Sequence, residues 1–267
     1  VVVLAPDAHP YLILGPEEHV VLGESDFGMP GLEAVEAIGP FVSIQASGPL
    51  ITVHDSIIDA GMGIGHHPHR FNERLFYIEQ GQLDHDDALN GITGHMDPGD
   101  VGQFTEGIRG MLHSEWNHGD IDTRAYILVY STDPVPPQTA FNVLRDADAP
   151  RYEEDGFRIK ELVGPRSPLR VNGDIRLFAD SRLDAGAAFT IEVAPGEGGL
   201  ASVREGQVQL EPEGEILAPG STLVIPSVDE RRTVHLRTEQ PARLIRVVHG
   251  PGHGFVRAQP HRRRDAR

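Results

Sequence analysis

The stretch Gly65-His66-His67-Pro68-His69-Arg70 sets three imidazoles within four positions. In an extended chain, residues two apart share a face, so His67 and His69 project together while His66 projects away. Leu112-His113-Ser114-Glu115 repeats the arrangement with His113 and Glu115. Two such pairs on neighbouring strands of a small barrel could set three imidazoles and one carboxylate around a single cation. That donor set suits one transition metal ion: iron, manganese, nickel, cobalt, copper or zinc. With a carboxylate and no thiolate, a redox-capable ion with open coordination positions is the expectation, and iron(II) leads it. Glycines at 61, 63 and 65 precede the first pair, and a hairpin and a Pro-Gly turn lead to the second. That order sets these residues apart from the rest of the chain's 14 histidines.

Strands are needed to hold such pairs, and the chain is rich in them. Short β-branched and aromatic runs recur between Gly, Pro, Asn and Asp: FVSIQ, ITVHDSII, RLFYIEQG, AYILVYS, then IRLFAD, AFTIEV, STLVIP and ARLIRVVHG. Helical periodicity is weak, and GLEAVEAIG (31–39) is the best short helical candidate. Regularly spaced short strands without helices predict an all-β sandwich or barrel. Two phrases recur in the same order. YIEQGQLDH (77–85) resembles SVREGQVQLE (202–211), and DPGDVGQF (97–104) resembles APGSTLVIP (218–226). This reads as a duplicated β-domain: residues 1–135 with the metal pairs, a linker over 136–150, a second domain over 151–253, and a flexible basic tail over 254–267 ending in HRRRDAR. Where the second domain should carry ligands it offers only Glu192, Glu197 and Glu205, with His235, His249 and His253 scattered, so it reads as metal-free and structural.

The bulk composition restricts function. The chain has 267 residues and a formal net charge of −17, which disfavours direct binding to nucleic acid. It has no cysteine, which excludes disulfides, thiolate nucleophiles and Cys-type zinc sites. No apolar run approaches the roughly 18 residues that span a bilayer, and the first residues do not read as a signal peptide. A cytoplasmic protein with no membrane partner is the expectation.

From His67 to Glu115 the sequence HPHR…E…YIEQG…DH…GHMDPGDV…FTEGIRGMLHSE resembles the pirin family, two-domain cupins with related bacterial quercetinases. The resemblance implies two tandem cupin barrels of the double-stranded β-helix (jelly-roll) type. It implies His67, His69, His113 and Glu115 as ligands of one metal, usually iron in that family. Glu73 competes for the carboxylate role, because cupins use the Glu of the first motif. Pirins hold both acids and use the later one, which favours Glu115 and leaves Glu73 as a residue behind the ligands or a base on the substrate side. His85 matches a histidine of the pirin hairpin, at the pocket rim or in a turn. Three departures lie close to the metal: HPHRFNE replaces HPHRGFE, Gln103-Phe104 replaces Gln-Trp, and TEG, with Glu106, replaces TAG.

By resemblance, the expected activity is dioxygenase chemistry of the quercetin 2,3-dioxygenase type, opening a flavonol or similar enolic or phenolic ring. Glu115 or Glu73 would take the substrate proton, and dioxygen would be the second substrate. The alternative is a non-enzymatic, iron-dependent redox-sensing regulator that binds a protein partner. The oligomeric state is left open between monomer and dimer.

Overall fold

The strand Thr123–Ser131 is buried on both faces. Tyr126, Leu128 and Tyr130 enter one apolar cluster, and Ala125, Ile127 and Val129 enter another. A strand rich in β-branched and aromatic residues on both faces belongs at the centre of a sheet with a layer on either side. The computed structural model, which describes residues 11–154 and 156–257, places it in the middle of a sheet ordered Ala140–Leu144, Val101–Thr105, Asn72–Gln80, Thr123–Ser131, Leu50–Ile58, Leu32–Ile38, Val20–Leu22. A second sheet faces it, ordered Gly63–His69, Met111–Trp116, Leu83–Asp87, Ile92–Met96. Together they form the first barrel.

The second barrel repeats this plan. Its large sheet runs Leu12–Leu14, Thr222–Ile225, Gly198–Glu205, Ala242–His249, Ile175–Leu183, Phe157–Val163, Arg151–Glu154. Its small sheet runs Ala188–Val193, Arg232–Arg237, Val208–Glu211, Ile216–Leu217. The duplication extends to single hydrogen bonds. Asp100 N–H donates to Asp97, and Gly99 N–H to Ile78; Ser221 N–H donates to Ala218, and Gly220 N–H to Val203. Gly99 and Gly220 both take positive φ, 91° and 87°, a conformation that favours glycine at this turn.

The small-sheet strands that match the two ligand pairs carry Phe189, Ile191 and Val193, and Val234 and Leu236, all buried in the second core. In sequence, VAPGEGGLASVREGQ (193–207) falls where the first ligand pair should lie, but the matching strand is Ala188–Val193. Glu192 points outward and pairs with Arg231.

Three expectations are corrected. GLEAVEAIG is the strand Leu32–Ile38, because its neighbours on both sides offer a ladder; the α-helix among the described residues is Glu24–Phe27. The stretch read as a linker contains the strand Ala140–Leu144, which edges the first barrel's sheet at Val101–Thr105. The stretch read as a tail begins with Phe255–Arg257, which pairs with Ile44–Ser47 of the first barrel; HRRRDAR lies outside the described residues, as do residues 1–10. The arm Leu12–Leu14 joins the second barrel, so the first and last described strands each complete the opposite half.

The barrels meet across the outer faces of their large sheets. Tyr77, Tyr126 and Leu128 pack with Phe178, Leu200 and Ile245. Polar bonds cross the same contact: Arg204 bridges Asp55 and Glu79, and Arg243 bridges Asp180 and Glu79. No helix of the described residues is long and apolar enough to cross a membrane.

Candidate metal centre

His67 lies directly opposite His113 across the antiparallel pair, and His69 opposite Met111. Between His113 and Glu115 the register slips, so that Glu115 faces Ile64. The 63–69 strand therefore carries one extra residue at Gly65-His66, a β-bulge that re-aims side chains at a site. It turns Ile64, His67, His69 and Glu115 onto the same cavity. The bulge also accounts for the crowded histidines. His66 turns out to an exposed contact with Asp86 at 2.9 Å. Gly65 offers its carbonyl to the Nδ1–H of His67 at 2.8 Å. That bond fixes the ring and leaves Nε2 facing Glu115, 3.8 Å from Oε2.

One donor nitrogen from each of His67, His69 and His113 lies within 4.8 Å of the others. The ring centroids are 4.6, 4.7 and 5.0 Å apart, tilted or edge-on to one another and not stacked. Glu115 adjoins the three rings: Oε1 is 3.2 Å from Nδ1 of His113, close but not aligned as a hydrogen bond. Both nitrogens of His113 and Oε2 of Glu115 are buried without a hydrogen-bond partner among the described residues.

The electrostatics follow from burial. Burial holds His67 below its usual range, and His113 far below it. Burial, reinforced by Arg74 and His67, lowers His69 to about 3. Burial pushes Glu115 up to about 8, against the pull of Arg74. Three imidazoles held neutral and a carboxyl group, with His113 and Glu115 Oε2 unpartnered among the described residues, make a donor set that a cation satisfies. The residues present thus fit a transition metal.

The other expected residues sit elsewhere. Glu73 is buried on the opposite face of its strand. It accepts hydrogen bonds from Thr105 Oγ1 (2.6 Å), Tyr130 Oη (2.7 Å), Asn172 N (2.8 Å) and Asn172 Nδ2 (2.5 Å). It therefore ties the two barrels together and is neither a ligand nor a base in the cavity. Glu73 lies an even number of residues from His67 and His69, which by strand parity would face it inward with them, but that parity fails because the chain turns at Arg70-Phe71 and enters the other sheet. His85 lies inside the barrel, opposite Glu115, buried among Phe104, Phe141 and His113 with both nitrogens unpartnered. Burial lowers it to about 4. Arg70 bonds the Ile108 carbonyl and covers the Phe71 ring. Trp116 stacks on His118.

The cavity beside the donors has a volume of about 370 Å³. Its far wall belongs to the large sheet: Thr52, His54, Ser56, Arg74, Phe76, Ile127 and Val129. Among the described residues the second barrel supplies none of the lining. Arg74 is held by Glu106, Nε to Oε1 at 2.7 Å, and its Nη2 donates to Nδ1 of His69 at 2.6 Å. Glu106 is fully buried and takes the Asn72 N–H as well. Sequence reasoning missed Arg74 and His54. The departure TEG marked Glu106 as unusual, but its partner lies 32 positions away.

A family model described as Pirin matches residues 24–128, a span that contains the whole donor set. Human Pirin is 27% identical over 211 residues, 71% of this chain and 70% of its own. A quercetin 2,3-dioxygenase of Escherichia coli (strain K12) is 28% identical over 137 residues, 50% of this chain and 53% of that protein. Among solved structures, a bacterial pirin from Escherichia coli in complex with nickel(II) has a TM-score of 0.72 at 18% identity, covering 90% of this chain and 99% of that one. That last likeness is one of fold.

Proposed function

We propose that this chain is a member of the pirin family of two-barrel cupins and a metal-dependent dioxygenase of the quercetin 2,3-dioxygenase type. Its substrate would be a flavonol-like enolic or phenolic ring, cleaved with dioxygen. The observation that supports the reading is the crowding of His67, His69 and His113 beside Glu115, with His113 and Glu115 Oε2 buried and unpartnered among the described residues and with His67, His69 and Glu115 lining a largely apolar cavity. Those four residues would hold one ion, iron(II) first, with zinc, manganese, nickel, cobalt or copper as alternatives. The ion would supply Lewis acidity and redox capacity.

The chain's own residues do the rest. Ile64, Phe76, Ile127 and Val129 give a planar ring an apolar bed and exclude water. A cavity of about 370 Å³ lies in the range that encloses one small ligand. Glu115, with Oε2 unpartnered, is a proton acceptor on the donor side.

Metal analysis of freshly purified protein, followed by anaerobic reconstitution and oxygen uptake with a panel of flavonols, tests the reading. Stoichiometric metal in the wild type, its loss in His67→Ala, and uptake that requires the metal are the expected results. Metal retained in His67→Ala, or no uptake with any panel member and any of the six metals, overturns it.

A second reading has its own observation. Phe71 and Ile108 are 49% and 51% exposed, and they adjoin through the Phe71 N–H bond to Gly107 at the end of the ligand strand. An apolar surface so near the metal suits a regulator that binds a protein partner. Redox-dependent partner binding without oxygen uptake would favour it.

A further inference from the structure

His54 occupies the wall of the cavity facing the donor set. Directly opposite positions across the large sheet run Glu36, His54, Ile127, Phe76, and opposite positions share a face. Glu36, at the edge of that row, is 1% exposed. Its Oε2 lies 3.0 Å from Nε2 of His54, and its Oε1 accepts the Phe41 N–H at 2.8 Å. The loop beyond Glu36 closes over it through Gly39, where a Cβ would come within 2.2 Å of the carboxyl carbon. Glu36 is therefore a fixed acceptor. It takes the Nε2–H of His54 and leaves Nδ1 as the ring's lone pair. Among the described residues Nδ1 has no hydrogen-bond partner, and the His54 side chain is 17% exposed, on the cavity.

The two walls of such a barrel stand about 10 Å apart. The imidazoles of His67 and His69 and the imidazole of His54 therefore reach into one space from opposite sides. Otherwise the His54 wall offers apolar groups, two hydroxyls (Thr52, Ser56), the Asn72 carboxamide, which is no base, and the Arg74 guanidinium, which is committed to Glu106 and His69.

We propose that His54 is the catalytic base of this cavity, taking the proton of a hydroxyl-bearing enol or phenol substrate, with Glu36 as its positioning residue. The inference rests on the function proposed above and moves the proton-accepting role given there to Glu115 onto His54. In the step, the substrate O–H bond breaks, its electron pair stays on oxygen, and an N–H bond forms at Nδ1. Nothing is oxidised or reduced. The imidazolium that forms lies against the Glu36 carboxylate, which offsets its charge. Glu115 is then free to stay with the donor set, where its oxygens face His113 and His67.

The test uses full-length protein loaded with redox-inert zinc, mixed without oxygen with 3-hydroxyflavone, whose absorption band distinguishes the neutral enol from the enolate. The wild type is expected to bind the probe as enolate. His54→Gln keeps its zinc and binds the probe mainly as neutral enol, with the enolate-to-enol ratio down at least about tenfold. Glu36→Gln keeps the imidazole and guards against a folding defect in the first variant; there the ratio falls about threefold. An unchanged ratio in both variants overturns the assignment to His54 and leaves the dioxygenase reading standing. Wild-type protein that binds the probe only as neutral enol does the same. Zinc-loaded wild type that binds no probe in either form overturns both.

Discussion

Nη2 of Arg74 sits 2.6 Å from Nδ1 of His69, while Nε of the same guanidinium holds Oε1 of Glu106 at 2.7 Å. A neutral ring that accepts at Nδ1 carries its proton on Nε2. A metal taking Nε2 must displace either that proton or the arginine, and Arg74 adds a like charge beside the cation. Replacing Arg74 alone strands the buried Glu106, so Arg74→Met is expected to cost roughly 3 kcal/mol in stability. The double variant Arg74→Met/Glu106→Gln removes both charges. It is expected to melt near the wild type and bind zinc about tenfold more tightly. Denaturant titration and competition with a chromophoric chelator check the two halves. A double variant with weaker zinc binding would mean that Arg74 supports His69 as a ligand.

Glu73 gives a separate expectation. Its carboxylate collects hydrogen bonds from Thr105, Tyr130 and Asn172 across the contact between the barrels. Glu73→Ala leaves those buried donors unpaired and is expected to cost roughly 3 kcal/mol. Metal stoichiometry should be unchanged, because the residue is on the far side of the sheet. Metal loss in a variant that is still folded would return Glu73 to the centre.

Phe71 has φ of 80°, where the resembling motif HPHRGFE places glycine. A side chain in the left-handed region costs about 1–2 kcal/mol. Its ring, stacked under Arg70 at 4.8 Å, recovers part of that cost. Phe71→Gly is expected to raise stability by about 0.5–1 kcal/mol, read from the denaturation midpoint. A lower midpoint would show that the exposed ring contributes more than the backbone conformation costs.

His249 sets a pH dependence. Its Nδ1–H donates to Gly250 O at 2.7 Å, and its Nε2 accepts from Ser47 Oγ at 3.1 Å. Burial lowers its pKa below the usual 6.5, against the raising effect of the Gly250 bond. Below about 6.5 the unfolded chain takes a proton that the folded one refuses. Stability therefore falls as pH drops from about 6.5 toward the lowered folded value, and is independent of this group above it. His249→Asn is expected to reduce the acid slope by up to about 1.4 kcal/mol per pH unit. Parallel slopes for the two proteins between pH 6.5 and 5 would exclude His249 as a source.

The sequence made some of this legible and hid the rest for physical reasons. Parity along a strand placed His67 beside His69 and His113 beside Glu115, because each pair lies within one strand. The same count failed for Glu73 because the turn at Phe71 intervenes before the chain changes sheet. His54, Glu36 and Arg74 were not legible. Their roles come from neighbours across strands, and the chain between them fixes no register. GLEAVEAIG was ambiguous because nine residues of mixed apolar and acidic character fit either period, and sheet pairing decided it. The repeated Gly turn and Pro-Gly turn were legible because a positive φ leaves its mark as a glycine in both copies.

The crossed ends carry a consequence of their own. Leu12–Leu14 closes the far barrel and Phe255–Arg257 edges the near one, so neither half owns all of its strands. A cut near residue 150 would leave one fragment with a displaced arm and the other with a bare sheet edge, open to pairing with a neighbour. The molecule should therefore denature in one cooperative step. The second barrel can fill the matching positions with Phe189 and Ile191 in place of ligands, but the fold cannot discard that barrel without new edges for both halves.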